Sequence, residues 1–332
     1  MPDILLSGFA DEAAPEKTID QQFSAMAALG LQYLSIRFVD IGTGNGVQNV
    51  LEFSPAELQL IRKQLDHYGL NIASIGSPIG KVKITDVEDG TKNRFVPFDQ
   101  YLAEDVRKAI EVAELLETRL IRGFSFYHPR GSDHQDWLNP AIDQLGQIVE
   151  ICGDHGLTFG LEVEANLIGH HGSVLAEIHR QVNHPALVLI FDGANLVTQG
   201  FSEAEIHSQF CEMLPGLGWL HVKDYLSAET AQAQPGEYVD EEALHRFVPC
   251  DRGSTGHAGI FRELAQHLPT ISQRLAARDI PGFFLDLEPH LRGGGQFGGY
   301  SGPDGMGVAL RCLCDVLNEC GIEFQLKSFE AL

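Results

Sequence analysis

Four residues able to ligate a metal or move a proton close four apolar runs in the C-terminal half of the chain. They are Glu162 in Leu161-Glu162-Val163-Glu164, Asp192 in Ile190-Phe191-Asp192, His221 in Leu220-His221 and Glu288 in Leu287-Glu288. Two Glu, one Asp and one His form a mixed oxygen/nitrogen donor set of net charge about −3. Such a set suits one divalent metal ion (Mn2+, Mg2+, Co2+ or Zn2+) and lacks the thiolates of a structural zinc centre. Taken singly, each residue has a plainer use: a solvated loop Glu, a packing His, an Asp capping the next helix. Four in register on successive runs are harder to explain that way, because clustered carboxylates favour functional sites. Glu164 faces the same side of an extended strand as Glu162, so either can serve; spacing from Gly156 favours Glu162.

The runs belong to a recurring beat in which a helical stretch ends, a glycine follows and a short apolar segment begins. Gly30, Gly69, Gly156, Gly218 and Gly282 each occupy that place. Glycine suits the left-handed position that ends a helix. Ser54-Pro55-Ala56-Glu57 and Ser202-Glu203-Ala204-Glu205 read as capping boxes that start helices. Leu58, Ile61 and Leu65 then give the first of these helices one apolar face. The apolar runs predict eight strands, near Ile4–Gly8, Tyr33–Arg37, Ile72–Ile75, Leu120–Phe124, Phe159–Glu162, Leu187–Phe191, Trp219–His221 and Phe283–Glu288. Strands alternating with helices imply parallel βαβ units, and this number of them implies closure. The expected fold is therefore α/β, a single (β/α)8 TIM barrel over residues 1–332, with long loops after strands 7 and 8. An open doubly wound sheet would usually carry a glycine-rich phosphate loop after its first strand, and Gly8-Phe9-Ala10-Asp11-Glu12 is not one.

The two long loops are polar Ser227 to Phe247 and glycine-dense Leu291 to Met306; each reads equally as a surface loop or an active-site lid. The run Gly42–Gly46 (GTGNG) lacks the strand–helix context of a dinucleotide motif. Gly253-Ser254-Thr255-Gly256 and Gly293-Gly294-Gly295 follow strands 7 and 8, where barrels often hold phosphate.

Against 46 acidic residues stand 23 Lys and Arg, a net charge of −23. That field repels phosphate backbones and anionic membranes, which argues against nucleic-acid or lipid partners and for a small-molecule carbohydrate. Six cysteines (Cys152, Cys211, Cys250, Cys312, Cys314 and Cys320) show no CxxC pair, as expected of reduced thiols in a cytoplasmic protein. The start MPDILLSGFADE has neither a basic region nor a long apolar core, so no signal peptide or membrane span is expected.

Gly156-Leu157-Thr158-Phe159-Gly160-Leu161-Glu162, Phe191-Asp192-Gly193-Ala194-Asn195, His221-Val222-Lys223-Asp224 and Leu285-Asp286-Leu287-Glu288-Pro289 resemble strand endings of the xylose-isomerase-like barrel superfamily of sugar and sugar-phosphate isomerases and epimerases. The rhythm extends the resemblance over most of the chain, and His-x-Lys-Asp is its most distinctive piece. The resemblance implies Glu162, Asp192, His221 and Glu288 as metal ligands, with Glu162 and Glu288 doubling as acid and base. Asn195 stands where many relatives place a substrate-contacting His, though an amide can still hydrogen-bond a hydroxyl. Barrels of this kind commonly associate, so a homo-oligomer is an open expectation.

Isomerising a ketose removes a proton beside a carbonyl. A metal can stabilise the resulting enediolate, and two carboxylates can take and return the proton. Arg37, Ser77, Lys81, His128 and Lys223 are candidates for orienting hydroxyls or a phosphate, Asp224 for pairing with a cation or supporting a ligand. His170 and His171 read as bystanders. The same ligands would serve a metal-dependent dehydratase or lyase. An abasic-site endonuclease needs more histidines, and Gly253 and Asn195 stand where that family would carry them. A non-catalytic sugar-binding barrel sits poorly with an intact ligand set.

Overall fold

The computed structural model describes residues 3–227, 243–293 and 299–328. Eight strands lie where the apolar runs predict: β1 (Ile4–Gly8), β2 (Tyr33–Ile36), β3 (Asn71–Ile79), β4 (Leu120–Gly123), β5 (Thr158–Glu162), β6 (Leu187–Asp192), β7 (Leu217–Val222) and β8 (Phe283–Leu287). Their order is β1-β8-β7-β6-β5-β4-β3-β2, and neighbours pair in parallel. A parallel bridge from Phe9 to Ser35 spans the seam between β1 and β2. The result is a nearly closed (β/α)8 barrel. Around it run α1 (Ile19–Ala28), α2 (Pro55–Tyr68), α3 (Arg107–Leu115), α4 (Leu138–Asp154), α5 (Gly172–Val182), α6 (Glu203–Met213), α7 (His257–Ala276) and α8 (Gly302–Glu319).

Both capping boxes form: Ser54 starts α2 behind Pro55, and Ser202 starts α6. Leu58, Ile61 and Leu65 are the buried face of α2. The recurrent glycine has two separate causes. Gly30, Gly69 and Gly156 adopt positive φ of 76°, 62° and 69°, as a helix-ending residue should. Gly218 does not; a Cβ there would lie 2.4 Å from the Val188 side chain, so close strand packing demands it instead.

Inside the barrel, small residues face large ones. A Cβ on Gly160 would sit 2.0 Å from the Trp219 ring, and, on the opposite face of the sheet, one on Gly123 would sit 1.9 Å from the Phe159 ring. Both rings are fully buried, so both faces of the sheet are packed with side chains and the strand ends have a rigid base. A polar layer lies among them: Ser7 and Ser35 donate to Asp286 at 2.9 and 2.5 Å, and Ser35 shares a hydrogen bond with Ser74 at 2.7 Å.

Residues 228–242 of the loop after β7 lie outside the described residues; its flanks, Asp224–Tyr225 and Phe247–Val248, pair antiparallel. Of the loop after β8, residues 294–298 are likewise outside, and Gly302–Met306 already form the start of α8. The Gly42–Gly46 run joins the short antiparallel strands Phe38–Val39 and Gln48–Asn49, a hairpin and not a phosphate loop. All six cysteines are unpaired. No helix among the described residues is long and apolar enough to cross a membrane.

Candidate active site at the barrel mouth

The register of the sheet brings Asp192 opposite His221, and Asp286 opposite His221 on its other side. Glu162 ends β5, and Glu288 follows β8 directly. Side chains from these four strand ends converge. One donor atom from each of Glu162, Asp192, His221 and Glu288 lies within 4.8 Å of the others, and all four residues are buried. His221 Nδ1 stands 3.2 Å from Glu162, 3.9 Å from Asp192 and 3.8 Å from Glu288. Donors bonded to one metal at about 2.0–2.3 Å cannot be farther apart than twice that length, so the cluster is near the size a single ion requires. Glu162 Oε2 and Asp192 Oδ2 are buried and accept no hydrogen bond. Buried carboxylate oxygens left that way need cations beside them, and Lys223 at 2.9 Å from Asp192 Oδ2 and Arg122 at 3.5 Å from Glu162 Oε2 answer part of that need. The buried acidic/His cluster can therefore hold a metal ion.

Protein cations supply part of that charge. Lys223 Nζ reaches Asp192 at 2.9 Å and Glu288 at 3.2 Å. Arg37 pairs with Glu288 at 2.6 Å and Asp11 at 3.2 Å. Arg122 lies 3.5 Å from Glu162 and 3.7 Å from Glu288. Both guanidiniums flank the buried Phe9 ring, at 4.4 and 5.0 Å, while His221 meets that ring edge-on at 5.3 Å. Phe9 is thus an apolar floor that keeps the charged groups apart from the packed interior.

These neighbours set the protonation states. Burial pushes the Glu162 carboxyl up, but His221 and then Arg122 outweigh it and hold it at about 2. Burial likewise opposes ionisation of Glu288, yet Lys223, His290 and Arg37 keep it well below the usual carboxylate range. Asp192 goes the other way: burial raises it, only partly offset by Lys223. For His221, burial disfavours the charge and Glu162 more than restores it, so its pKa rises.

Other candidates fall in different places. Glu164 is outside the cluster and pairs with Lys81 at 3.1 Å, because β5 ends at Glu162 and strand alternation ends with it. Asn195 Nδ2 donates to the Val163 carbonyl at 3.0 Å and reaches Glu162 at 3.5 Å, beside the cluster. Ser77 donates to the Arg122 carbonyl. His128 is not brought in: its Nδ1 stays within its own loop, 3.2 Å from both the Pro129 carbonyl and Ser132 Oγ. Asp224 pairs with no Lys or Arg among the described residues. It accepts from the Thr255 and Tyr225 N–H groups at 3.0 and 2.8 Å and lies 3.1 Å from His257 Nδ1. The Thr255 N–H beside the expected phosphate segment is thereby taken by a carboxylate. A Cβ at Gly253 would lie 2.1 Å from that carboxylate, so the His that an abasic-site endonuclease would carry here would have to displace the Asp224 side chain.

Sequence reasoning missed Arg122, whose signal is a lone charge inside the apolar strand Leu120-Ile121-Arg122-Gly123. It missed Glu12 and His290 as well. These two are hydrogen-bonded at 2.7 Å and, with Glu288, bring donors within 4.8 Å of one another.

A family model described as xylose isomerase-like TIM barrel matches residues 23–269. No curated protein sequence matches the chain significantly. Among solved structures, the chain is similar to a xylose isomerase-like TIM barrel protein from Mycobacterium smegmatis in complex with magnesium (TM-score 0.62, 16% identity, covering 96% of this chain and 98% of that one). It is similar to D-psicose 3-epimerase with D-tagatose from Clostridium cellulolyticum H10 (TM-score 0.56, 14% identity, 97% and 98% covered). It also resembles the probable 3-DHS dehydratase AsbF of Bacillus anthracis (TM-score 0.58, 16% identity, 95% and 99% covered). At these identities the likeness is one of fold, shared by proteins whose named activities differ.

Proposed function

The chain belongs to the xylose isomerase-like TIM barrel family, and from that premise and the site's geometry we propose a divalent-metal-dependent isomerase or epimerase acting on a sugar, a sugar phosphate or a cyclic polyol ketone. The observation that carries the reading is the convergence of Glu162, Asp192, His221 and Glu288 to within 4.8 Å at the ends of adjacent strands. An ion held by these four, Mn2+, Mg2+, Co2+ or Zn2+, would supply Lewis-acid stabilisation of the negative charge that develops on substrate oxygens.

The protein's own groups do the rest. Glu288 is held ionised by Lys223 and Arg37 and so is ready to accept a proton from carbon next to a carbonyl. Glu162, at the end of β5, is the second carboxylate of the pair; it is held ionised by His221 and Arg122, so it would return a proton to substrate only after taking one up itself. Lys223 and Arg37 are already desolvated and fixed by ion pairs, so they stabilise negative charge without reorganising. Asn195, beside Glu162, offers an amide to a substrate hydroxyl. His128 remains a candidate only if its loop turns inward on binding.

The test is hydrogen exchange from deuterated solvent into a panel of ketoses, inosose-like cyclic ketones and their phosphates. Wild-type protein should label at least one member at carbon beside the carbonyl, and Glu288→Gln should abolish the labelling in protein whose circular dichroism shows it still folded. Labelling that survives the substitution removes Glu288 from its role. Loss of water without epimer would transfer the reading to a dehydratase.

A further inference from the structure

A second group of potential ligands lies outside the mouth cluster. His134 comes from the segment between β4 and α4; His170 and His171 come from the segment between β5 and α5. One ring nitrogen from each lies within 4.8 Å of the other two. The rings stand nearly perpendicular, with centroids 4.5 Å apart for His134–His170, 4.4 Å for His170–His171 and 6.0 Å for His134–His171. We propose that these three histidines form a transition-metal site, distinct from the mouth cluster, that ties two loops of the barrel rim together.

Two features separate this group from a chance gathering of imidazoles. The first is how each ring is oriented. Nδ1 of His170 faces the Ile168 carbonyl at 3.3 Å, Nδ1 of His171 faces Ser173 Oγ at 2.9 Å, and Nδ1 of His134 lies 3.4 Å from the Asp133 carboxylate. A partner for one ring nitrogen is what leaves the other as the lone-pair donor of a metal-binding histidine. The nitrogen left is Nε2 on His170 and His171. On His134, Nε2 now accepts from the Gln135 side-chain amide at 2.8 Å, an exposed group that an ion can displace.

The second feature is a preorganised backbone. Ile168 N–H donates to the Phe126 carbonyl at 3.0 Å, Gly169 N–H to Ser125 Oγ at 2.7 Å and Gly172 N–H to Gln209 Oε1 at 2.8 Å. Gln199 donates to the carbonyls of both His170 and Asn195 at 2.8 Å, joining the rim histidines to the residue beside Glu162. Ligands held by their own backbone contacts lose little freedom on binding.

Donor chemistry names the class of ion. Three imidazole nitrogens with no carboxylate among the ligands favour Zn2+, Ni2+, Co2+ or Cu2+ over Mg2+ or Ca2+. The test is equilibrium dialysis of the whole protein against micromolar Zn2+ in excess Mg2+, followed by elemental analysis of Zn per chain. His134→Ala and His170→Ala, on different loops, should each lose one Zn2+ per chain relative to wild type, and Asp192→Asn should keep that Zn2+. This holds whether or not the mouth cluster binds Zn2+, so failure of the mouth reading leaves the rim result legible. Unchanged zinc in either histidine variant overturns the site, as does displacement of the rim zinc by Mg2+.

Discussion

The mouth and the rim offer metals the same kind of side chain in opposite surroundings. His221 is buried among carboxylates, and Glu162 lifts its pKa; His171 is half-buried among other imidazoles, and burial with that company lowers its pKa to about 4. The mouth gathers charge: three carboxylates answered by Lys223, Arg37 and Arg122. The rim gathers imidazole rings. A histidine's neighbours, more than its own chemistry, decide whether it carries a proton and which ion suits it. The charged mouth should also be the place where the fold is most dependent on its ligands, because a buried ion cluster stabilises little by itself but costs much when one partner is removed.

The strongest way to break that contrast is Lys223→Met. Asp192 and Glu288 would then face each other without the ammonium that lies within 3.2 Å of both. The metal-free variant should lose about 3–5 kcal/mol of stability in urea unfolding. Added Mn2+ or Mg2+ should return much of the loss, since an ion that binds only the folded state stabilises it by mass action. A variant as stable as wild type without metal would show that the mouth tolerates its charges unaided.

Gly160→Ala probes what holds the mouth in place. The new Cβ would press on the Trp219 ring, and Trp219 lies two residues before His221 on β7. Overpacking of this kind costs about 1–3 kcal/mol. Metal affinity at the mouth should weaken with it, while zinc at the rim, which is pinned by its own loop hydrogen bonds, should not change. Equal losses at both places would mean that the rim is not independently supported.

The difference between the regions also governed what could be read from the sequence. Barrel strands deliver their last residues to one place, so a ligand-type residue closing each of β5, β6 and β7, and following β8, identifies a site without knowledge of any loop. Glu162 and Glu164 could not be separated that way, because alternation holds only while the strand lasts, and it stops at Glu162. Of the two uses open to Asp224, pairing with a cation or supporting a ligand, the second is not what the structure brings together. Its closeness in sequence to His221 suggested support for that ring, but its partners His257 and Thr255 arrive with the turn into α7. The rim histidines carried no periodic signal at all. His134 meets His170 and His171 only because two irregular segments fold against each other, and loop conformation is what sequence patterns specify least. His170 and His171 therefore looked like bystanders.

The smallest effect is expected at the rim, from His134→Ala measured without metal. The His134 side chain is partly exposed, its ring lies against His170, and its Nε2 accepts from an exposed amide. None of these contacts is a core cavity, a buried ion pair or an unsatisfied donor, so removal should shift stability by no more than about 0.5 kcal/mol. With Zn2+ present, wild type should gain stability over its metal-free form at the rim and His134→Ala should not, because only the intact trio binds the ion in the folded state. A metal-free loss of about 2 kcal/mol or more would mean that the perpendicular ring stack is a structural element in its own right, and the contrast between a charge-dependent mouth and a ligand-ready rim would have to be abandoned.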